Sequence, residues 1–161
     1  MKTVLFIVNH NMTLYNFRRE LVEQLVKENY RVIVLLPVTE DTKRITDLGC
    51  EVIDVPVERR GTNPIRDFKL FTTYRKILKQ VKPDVVLTYT IKPNVYGGLA
   101  AAVSKIPYLC TITGLGVAIE GGGLLKKISL MLYRVGLAKV TKVFFQNEAN
   151  RQVFAEANIG K

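Results

Sequence analysis

Short apolar runs alternate strictly with longer stretches of helical period along this chain, and that rhythm admits few folds. The runs fall at Thr3–Val8, Arg31–Leu36, Glu51–Val55, Val85–Tyr89, Tyr108–Thr113 and Lys142–Phe145. They are β-branched and nearly continuous rather than alternating, which is the pattern of parallel strands covered on both faces. Between them, Leu14, Phe17, Leu21 and Leu25, and later Phe68, Phe71, Tyr74, Leu78 and Val81, recur at three and four, as buried helix stripes do. Asn63-Pro64 supplies an N-cap and a first-turn proline for the second of these helices. A short helix near Glu40–Leu48 stops at Gly49, a small-residue helix spans Leu99–Ser104, and Asn147 caps a last helix over Glu148–Ala157. The result is six β-α units. We expect an α/β fold in one domain over residues 1–161, a Rossmann-like doubly wound parallel sheet of order 3-2-1-4-5-6.

Charge is large and uneven. The net value is +10 in 161 residues. Between Glu58 and Lys82 lie Arg59, Arg60, Arg66, Lys69, Arg75, Lys76, Lys79 and Lys82 against only Glu58 and Asp67. Between Gly121 and Asn147 there are five bases and no acid. The partner of this surface should therefore be anionic and local. Nucleic acid ranks low, because no recognised motif is present and no aromatics interleave with the bases on an exposed sheet. Cys50 and Cys110 sit in or beside apolar runs without a Cys-x-x-Cys pair, and read as buried thiols in a reducing compartment. The apolar start, Met1 to Val8, is too short for a secretory leader and reads as a first strand. Pro93, Pro107 and several glycines break the least charged region, Leu87 to Leu125, so it makes a poor membrane span.

In an open α/β sheet ligands bind where loops leave the carboxyl ends of the strands. Four such loops carry polar groups here. Asn9-His10-Asn11-Met12-Thr13 follows the first strand, and His10 is the only histidine, a candidate base or hydrogen-bonding group toward a hydroxyl. Thr90-Ile-Lys92-Pro-Asn94 follows the fourth strand, where Lys92 offers charge and Asn94 offers amide hydrogen bonds. Five of the eleven glycines fall between Gly114 and Gly123, after the fifth strand. That spacing is neither a dinucleotide fingerprint nor a P-loop. It suits a mobile lid or an anion held at a helix start. Gln146-Asn147 follows the sixth strand. No set of Cys, Asp or Glu joins His10 at a metal-ligand spacing, so no metal is expected.

The stretch Leu124–Lys139 has an unusual helical wheel. At about 100° per residue, Leu124, Leu125, Ile128, Met131, Leu132, Val135 and Ala138 form one wide apolar face, expected to meet the core. The opposite face mixes Lys126, Lys127 and Arg134 with Leu130, Tyr133 and Leu137. Such a mixture suits an anionic membrane surface, or packing on a neighbouring lobe or subunit.

Several segments together resemble the N-terminal half of a bacterial GT-B glycosyltransferase of family 4, of the capsular, O-antigen and lipid-linked-oligosaccharide type. They are Tyr15-Asn-Phe-Arg18, Leu87-Thr-Tyr-Thr-Ile-Lys-Pro-Asn-Val-Tyr-Gly-Gly-Leu-Ala-Ala101, Thr113-Gly-Leu-Gly116 and Val143-Phe-Phe-Gln-Asn147. The resemblance implies a two-lobed retaining enzyme of cell-surface polysaccharide or glycan synthesis. This chain would be its acceptor-binding lobe, and a C-terminal lobe absent here would hold the nucleotide-sugar donor as co-substrate. No tightly bound cofactor is implied, and the lobe alone is expected to be inactive. Partners would be a lipid-linked or saccharide acceptor, an anionic membrane surface and the other lobe. The place would be cytoplasmic, peripheral at the inner face of the cell membrane. Acceptor contact would fall to Asn9, His10, Asn11, Tyr15, Arg18, Thr90, Lys92, Asn94, Thr113, Gly114, Gly116, Gln146 and Asn147, and membrane contact to Lys126, Lys127, Leu130, Tyr133, Arg134 and Leu137. A sugar-nucleotide epimerase shares the two-lobe fold. It would need acids at the crevice, where only Glu120 and Glu148 stand. A non-enzymatic membrane-surface module is the third reading.

Overall fold

The computed structural model describes residues 1–58, 63–116, 119 and 121–160. Its six strands are all parallel, in the order β3-β2-β1-β4-β5-β6. They are β1 (Thr3–Ile7), β2 (Arg31–Leu36), β3 (Glu51–Asp54), β4 (Val85–Tyr89), β5 (Tyr108–Ile112) and β6 (Lys142–Phe145). Topology and strand positions are those expected from the sequence, to within a residue at each end. Register places Val4 between Val32 and Val85, so β1 runs down the middle of the sheet and every one of its residues is buried.

Period-two alternation sorts these strands between two helix layers. Val4, Phe6, Val32, Val34 and Leu36 face α1 (Asn11–Lys27) and α2 (Thr42–Thr46), meeting Leu14, Val22 and Ile45. Leu5, Ile7, Ile33 and Leu35 face the other layer: α3 (Pro64–Val81), α4 (Gly98–Val103), α5 (Gly123–Gly136) and α6 (Glu148–Glu156). The helices start where the sequence marks them. Asn63 Oδ1 accepts from the backbone N–H groups of Ile65 and Arg66, with Pro64 in the first turn. Asn147 Oδ1 accepts from Asn150 N at 2.8 Å. Each cap stabilises its helix by about 1 kcal/mol.

Two features depart from the sequence reading. The small-residue helix is preceded by a π-turn, Pro93–Gly97, which contacts α3, α5 and β5. It crosses α5 through glycines on both sides. A Cβ on Gly136 would lie 2.6 Å from Val95 Cα and 2.7 Å from Val95 O, and one on Gly98 would lie 2.6 Å from Gly136 O. Tyr108 seals the crossing by donating its hydroxyl to Gly136 O at 2.8 Å.

This crossing reverses the expected faces of α5. Gly136 must point inward, and Tyr133 (1% exposed) and Leu137 turn inward with it, while Leu130 packs partly buried beside them. Of the residues expected in the core, Leu124 (73% exposed), Leu125, Ile128, Met131 (60% exposed), Val135 and Ala138 face solvent instead, and Leu132 alone packs partly buried. Phe17 and Leu21 of α1 and Phe68 of α3 are likewise exposed, while Val22, Leu70 and Asp67 take inward positions.

Candidate functional site

Strands β1, β4 and β5 are parallel neighbours, so the loops that leave their carboxyl ends share one rim. The strand order reverses between β1 and β4, which puts the loops after residues 8 and 89 on either side of the topological switch point. The loops that carry Asn9, Lys92 and Gly114 therefore leave the sheet at the same edge.

The first loop is held by its own side chains. His10 caps α1, its Nδ1 accepting from Met12 N at 3.1 Å. An imidazole whose Nδ1 accepts carries a proton on Nε2, so the cap occupies one ring nitrogen of His10 and leaves the other as a hydrogen-bond donor. Asn11 is buried. Its amide donates to Pro37 O and Thr39 Oγ1, and its Oδ1 accepts from the Thr42 hydroxyl. Those bonds satisfy the open end of β2 and remove Asn11 from the ligand-facing set. Arg18 lays its guanidinium 4.9 Å from the centroid of the Tyr89 ring, which itself stacks on Phe6. Burial pushes the Tyr89 phenol up, and Arg18 draws it back. Tyr15 is occupied against α2, with Arg19 and Arg44 over its ring.

The second loop begins under strain. Thr90 has φ 71°, a left-handed conformation that a β-branched residue adopts only when its surroundings fix it. Its hydroxyl is buried without a partner. Asn94 is wholly buried, and its amide donates to Thr111 O at 2.9 Å. This corrects the expectation that Asn94 meets a ligand: it ties the π-turn to β5. Lys92 is not a free cation. Its Nζ lies 2.8 Å from Asp67 Oδ1, and the Tyr96 hydroxyl donates to Asp67 Oδ2 at 3.0 Å. The two charged side chains are only 11% and 7% exposed. Burial and the Asp67 carboxylate both push the Tyr96 phenol well above its ordinary value.

The Lys92–Asp67 pair lines a cleft of about 620 Å³ between the ends of β2 and β3 and the first turns of α3. Pro37, Val55, Val57 and Leu70 give apolar wall, and Lys69, Thr73 and the Lys92–Asp67 pair give polar groups. Glu58 and Arg66 form an ion pair at the same cleft. Asp67 was not singled out from the sequence. The signal was a lone acid in the first turn of a basic helix, twenty-five residues before the lysine it holds.

The third loop is open at Gly114, where a Cβ would meet nothing within 4 Å. Gly116 (φ 71°) is tighter, since a Cβ there would lie 2.9 Å from Ile91 Cδ1. Thr113 is half-buried beside them. Gln146 and Asn147 are exposed at the end of β6, Asn147 being engaged as a cap. Of the membrane-contact set, Tyr133 and Leu137 are buried and Leu130 is partly so, whereas Lys127 and Arg134 are exposed and Lys126 is intermediate. Arg59, Arg60 and Glu120 lie outside the described residues. Among the described residues no group of His, Cys, Asp and Glu is placed to hold a metal ion.

A family model described as "Glycosyl transferase 4-like" matches residues 3–147. The chain belongs to this family. It is 30% identical over 152 residues to the N,N'-diacetylbacillosaminyl-diphospho-undecaprenol alpha-1,3-N-acetylgalactosaminyltransferase of Campylobacter jejuni, covering 91% of this chain and 40% of that one. Its fold matches MurG of Acinetobacter baumannii with a TM-score of 0.63 at 19% identity, over 90% of this chain and 41% of that one. It also matches the UDP-GlcNAc 2-epimerase of Methanocaldococcus jannaschii, with a TM-score of 0.63 at 16% identity, over 99% and 43%. The sheet is thus the N-terminal half of a GT-B fold. The chain spans about two fifths of the length of each of these relatives.

Proposed function

We propose that this chain is the acceptor-side lobe of a retaining glycosyltransferase, one that moves a sugar from a nucleotide sugar onto a lipid-linked saccharide at a membrane. The observation that carries the reading is the Campylobacter relative, whose name specifies a diphospho-undecaprenol-linked acceptor, aligned over nearly the whole of this chain. The rim is consistent with it. An acceptor sugar entering beside β1 and β4 meets the His10 Nε2–H and the backbone at open Gly114. The cleft alongside offers apolar wall with a carboxylate, an ammonium and the Thr73 hydroxyl. The acceptor hydroxyl attacks C1 of the donor, the C1–O bond to the nucleoside diphosphate breaks, and the hydroxyl proton leaves with the departing phosphate or to solvent. The lobe's part is to position that hydroxyl and exclude water. A second lobe would hold the donor, so this chain alone turns over nothing.

Amide chemical shifts of the isotope-labelled chain test the reading. A prenyl-diphosphate-linked N-acetylhexosamine should move residues 9–10, 90–92 and 113–116, and UDP-hexose should move them far less. Preference for the nucleotide sugar would overturn it. The epimerase fold match favours a second reading, in which the same rim takes a UDP-sugar. Glu148, one of the acids that reading needs, is exposed and committed to Arg151.

A further inference from the structure

The polar wall of the cleft beside β2 and β3 is richer in donors than in acceptors. Each Asp67 oxygen already accepts a bond, Oδ1 from Lys92 Nζ and Oδ2 from the Tyr96 hydroxyl. The ammonium is less fully engaged. It carries three N–H groups, and among the described residues Lys92 Nζ meets Asp67 alone, although the side chain is almost buried. An ammonium so placed needs acceptors from whatever enters the cleft. Lys69 brings a second ammonium, Thr73 a hydroxyl, and Arg66 a guanidinium shared with Glu58. Arg66, Lys69 and Lys92 outnumber Glu58 and Asp67, so the described lining is net positive. The start of α3 is not itself the anchor, because Asn63 Oδ1 already takes the N–H groups of Ile65 and Arg66.

The other wall is apolar: Pro37, Val55, Val57 and Leu70. A group that only accepts, carries negative charge and continues into hydrocarbon matches both walls. Phosphoryl oxygens esterified to an alkyl chain have that chemistry. A bare saccharide donates as often as it accepts. A nucleobase would leave its polar edge against valine and leucine, and among the described lining residues no aromatic ring is present to stack on it.

We propose that this cleft seats the diphosphate of a prenyl-linked acceptor. Lys92 and Lys69 hold the phosphoryl oxygens, Thr73 donates its hydroxyl, and the first isoprene unit lies against Val55, Val57 and Leu70. The proposal rests on the acceptor reading above and adds an orientation to it. Neighbouring strands are about 4.8 Å apart, and β2 and β3 are the first and second neighbours of β1 on this side of the sheet. A sugar joined to a diphosphate in the cleft therefore extends back over β1, toward His10 and the switch point, while the hydrocarbon leaves on the far side.

Titration of the isotope-labelled 161-residue chain with geranyl diphosphate, inorganic pyrophosphate, UDP and free N-acetylglucosamine decides the matter. Geranyl diphosphate should move the amides of Val55, Val57, Glu58 and residues 66–73, and bind about tenfold more tightly than pyrophosphate or UDP. N-acetylglucosamine should leave those amides in place. Lys92→Met should weaken geranyl diphosphate binding about tenfold. Lys69→Gln, at an exposed position that leaves the buried pair intact, should weaken it about threefold. Lys79→Gln, farther along α3, should change nothing. Pyrophosphate or UDP binding as tightly as geranyl diphosphate overturns the proposal, as do cleft shifts caused by the free sugar, full affinity in Lys69→Gln, or equal losses from Lys69→Gln and Lys79→Gln. Failure of the two readings is separable. A prenyl-diphosphate-linked N-acetylhexosamine that moves residues 9–10 and 113–116, with geranyl diphosphate leaving the cleft unmoved, sinks this proposal and leaves the acceptor reading standing. A rim that prefers UDP-hexose sinks the acceptor reading whatever the cleft does.

Discussion

Removing the Asp67 carboxylate should expose how much this lobe depends on a buried charge pair. Asp67 and Lys92 are each about nine-tenths buried and 2.8 Å apart, with Tyr96 as a second donor to the carboxylate. Breaking a buried pair from one side costs about 3–5 kcal/mol, because the remaining charge stays desolvated. Lys92 has a flexible stem at the mouth of a cleft and can partly reach water, so the low end applies, about 3 kcal/mol for Asp67→Ala. Lys92→Met should cost less, about 2 kcal/mol, since the Tyr96 hydroxyl still serves the carboxylate. The double variant removes both charges and should cost about 2 kcal/mol less than the sum of the singles. Urea unfolding reads these values directly. In a domain of this size, Asp67→Ala should lower Tm by roughly 6–12 °C. Additivity within about 0.5 kcal/mol would show that the two groups do not neutralise each other and would refute the reasoning.

Two other tests are independent of that pair. Gly136→Ala gains less than about 1 kcal/mol in helix propensity but drives a methyl into the Val95 backbone at 2.6 Å, an overpacking cost of about 1–3 kcal/mol, so the variant should be net destabilised in thermal melts; a melt at or above the parent's would contradict the described crossing. Burial pushes the Cys50 and Cys110 thiols up to about 11 and about 12. Both should resist thiol reagents at pH 8 until the chain unfolds. The unfolded thiols ionise near their ordinary value of 9.0 while the folded ones stay protonated, so stability should fall as pH rises from about 9 to about 11. Urea midpoints that hold or rise across that window would count against buried thiols.

The strands were legible because a buried parallel strand leaves little choice of residue, and continuous runs such as Val32 to Leu36 say so directly. The order of the sheet followed from right-handed crossovers. The orientation of α5 was not legible, because a helix with apolar groups on both arcs carries no sequence preference between them. Close approach decided it: only the Gly136 side lets α5 reach the Val95 backbone. The polar loops misled for a related reason. Asn11 and Asn94 have the chemistry of ligand-binding groups, but the carbonyls of Pro37 and Thr111 lie nearer than any ligand and claim them first. The role of Asp67 is not encoded locally, because its partner Lys92 lies on another element and no local spacing sets that distance.

The π-turn at Pro93–Gly97 has a further consequence. It holds one residue more than an α-turn. Deleting a single residue there would let the segment run as plain α-helix and would rotate everything upstream by about 100° relative to α4. Lys92 would swing off Asp67 while Gly98 kept its seat against Gly136. The surplus residue thus sets the phase between the rim and the scaffold, so that the loop can be re-aimed toward a different ligand without repacking α4.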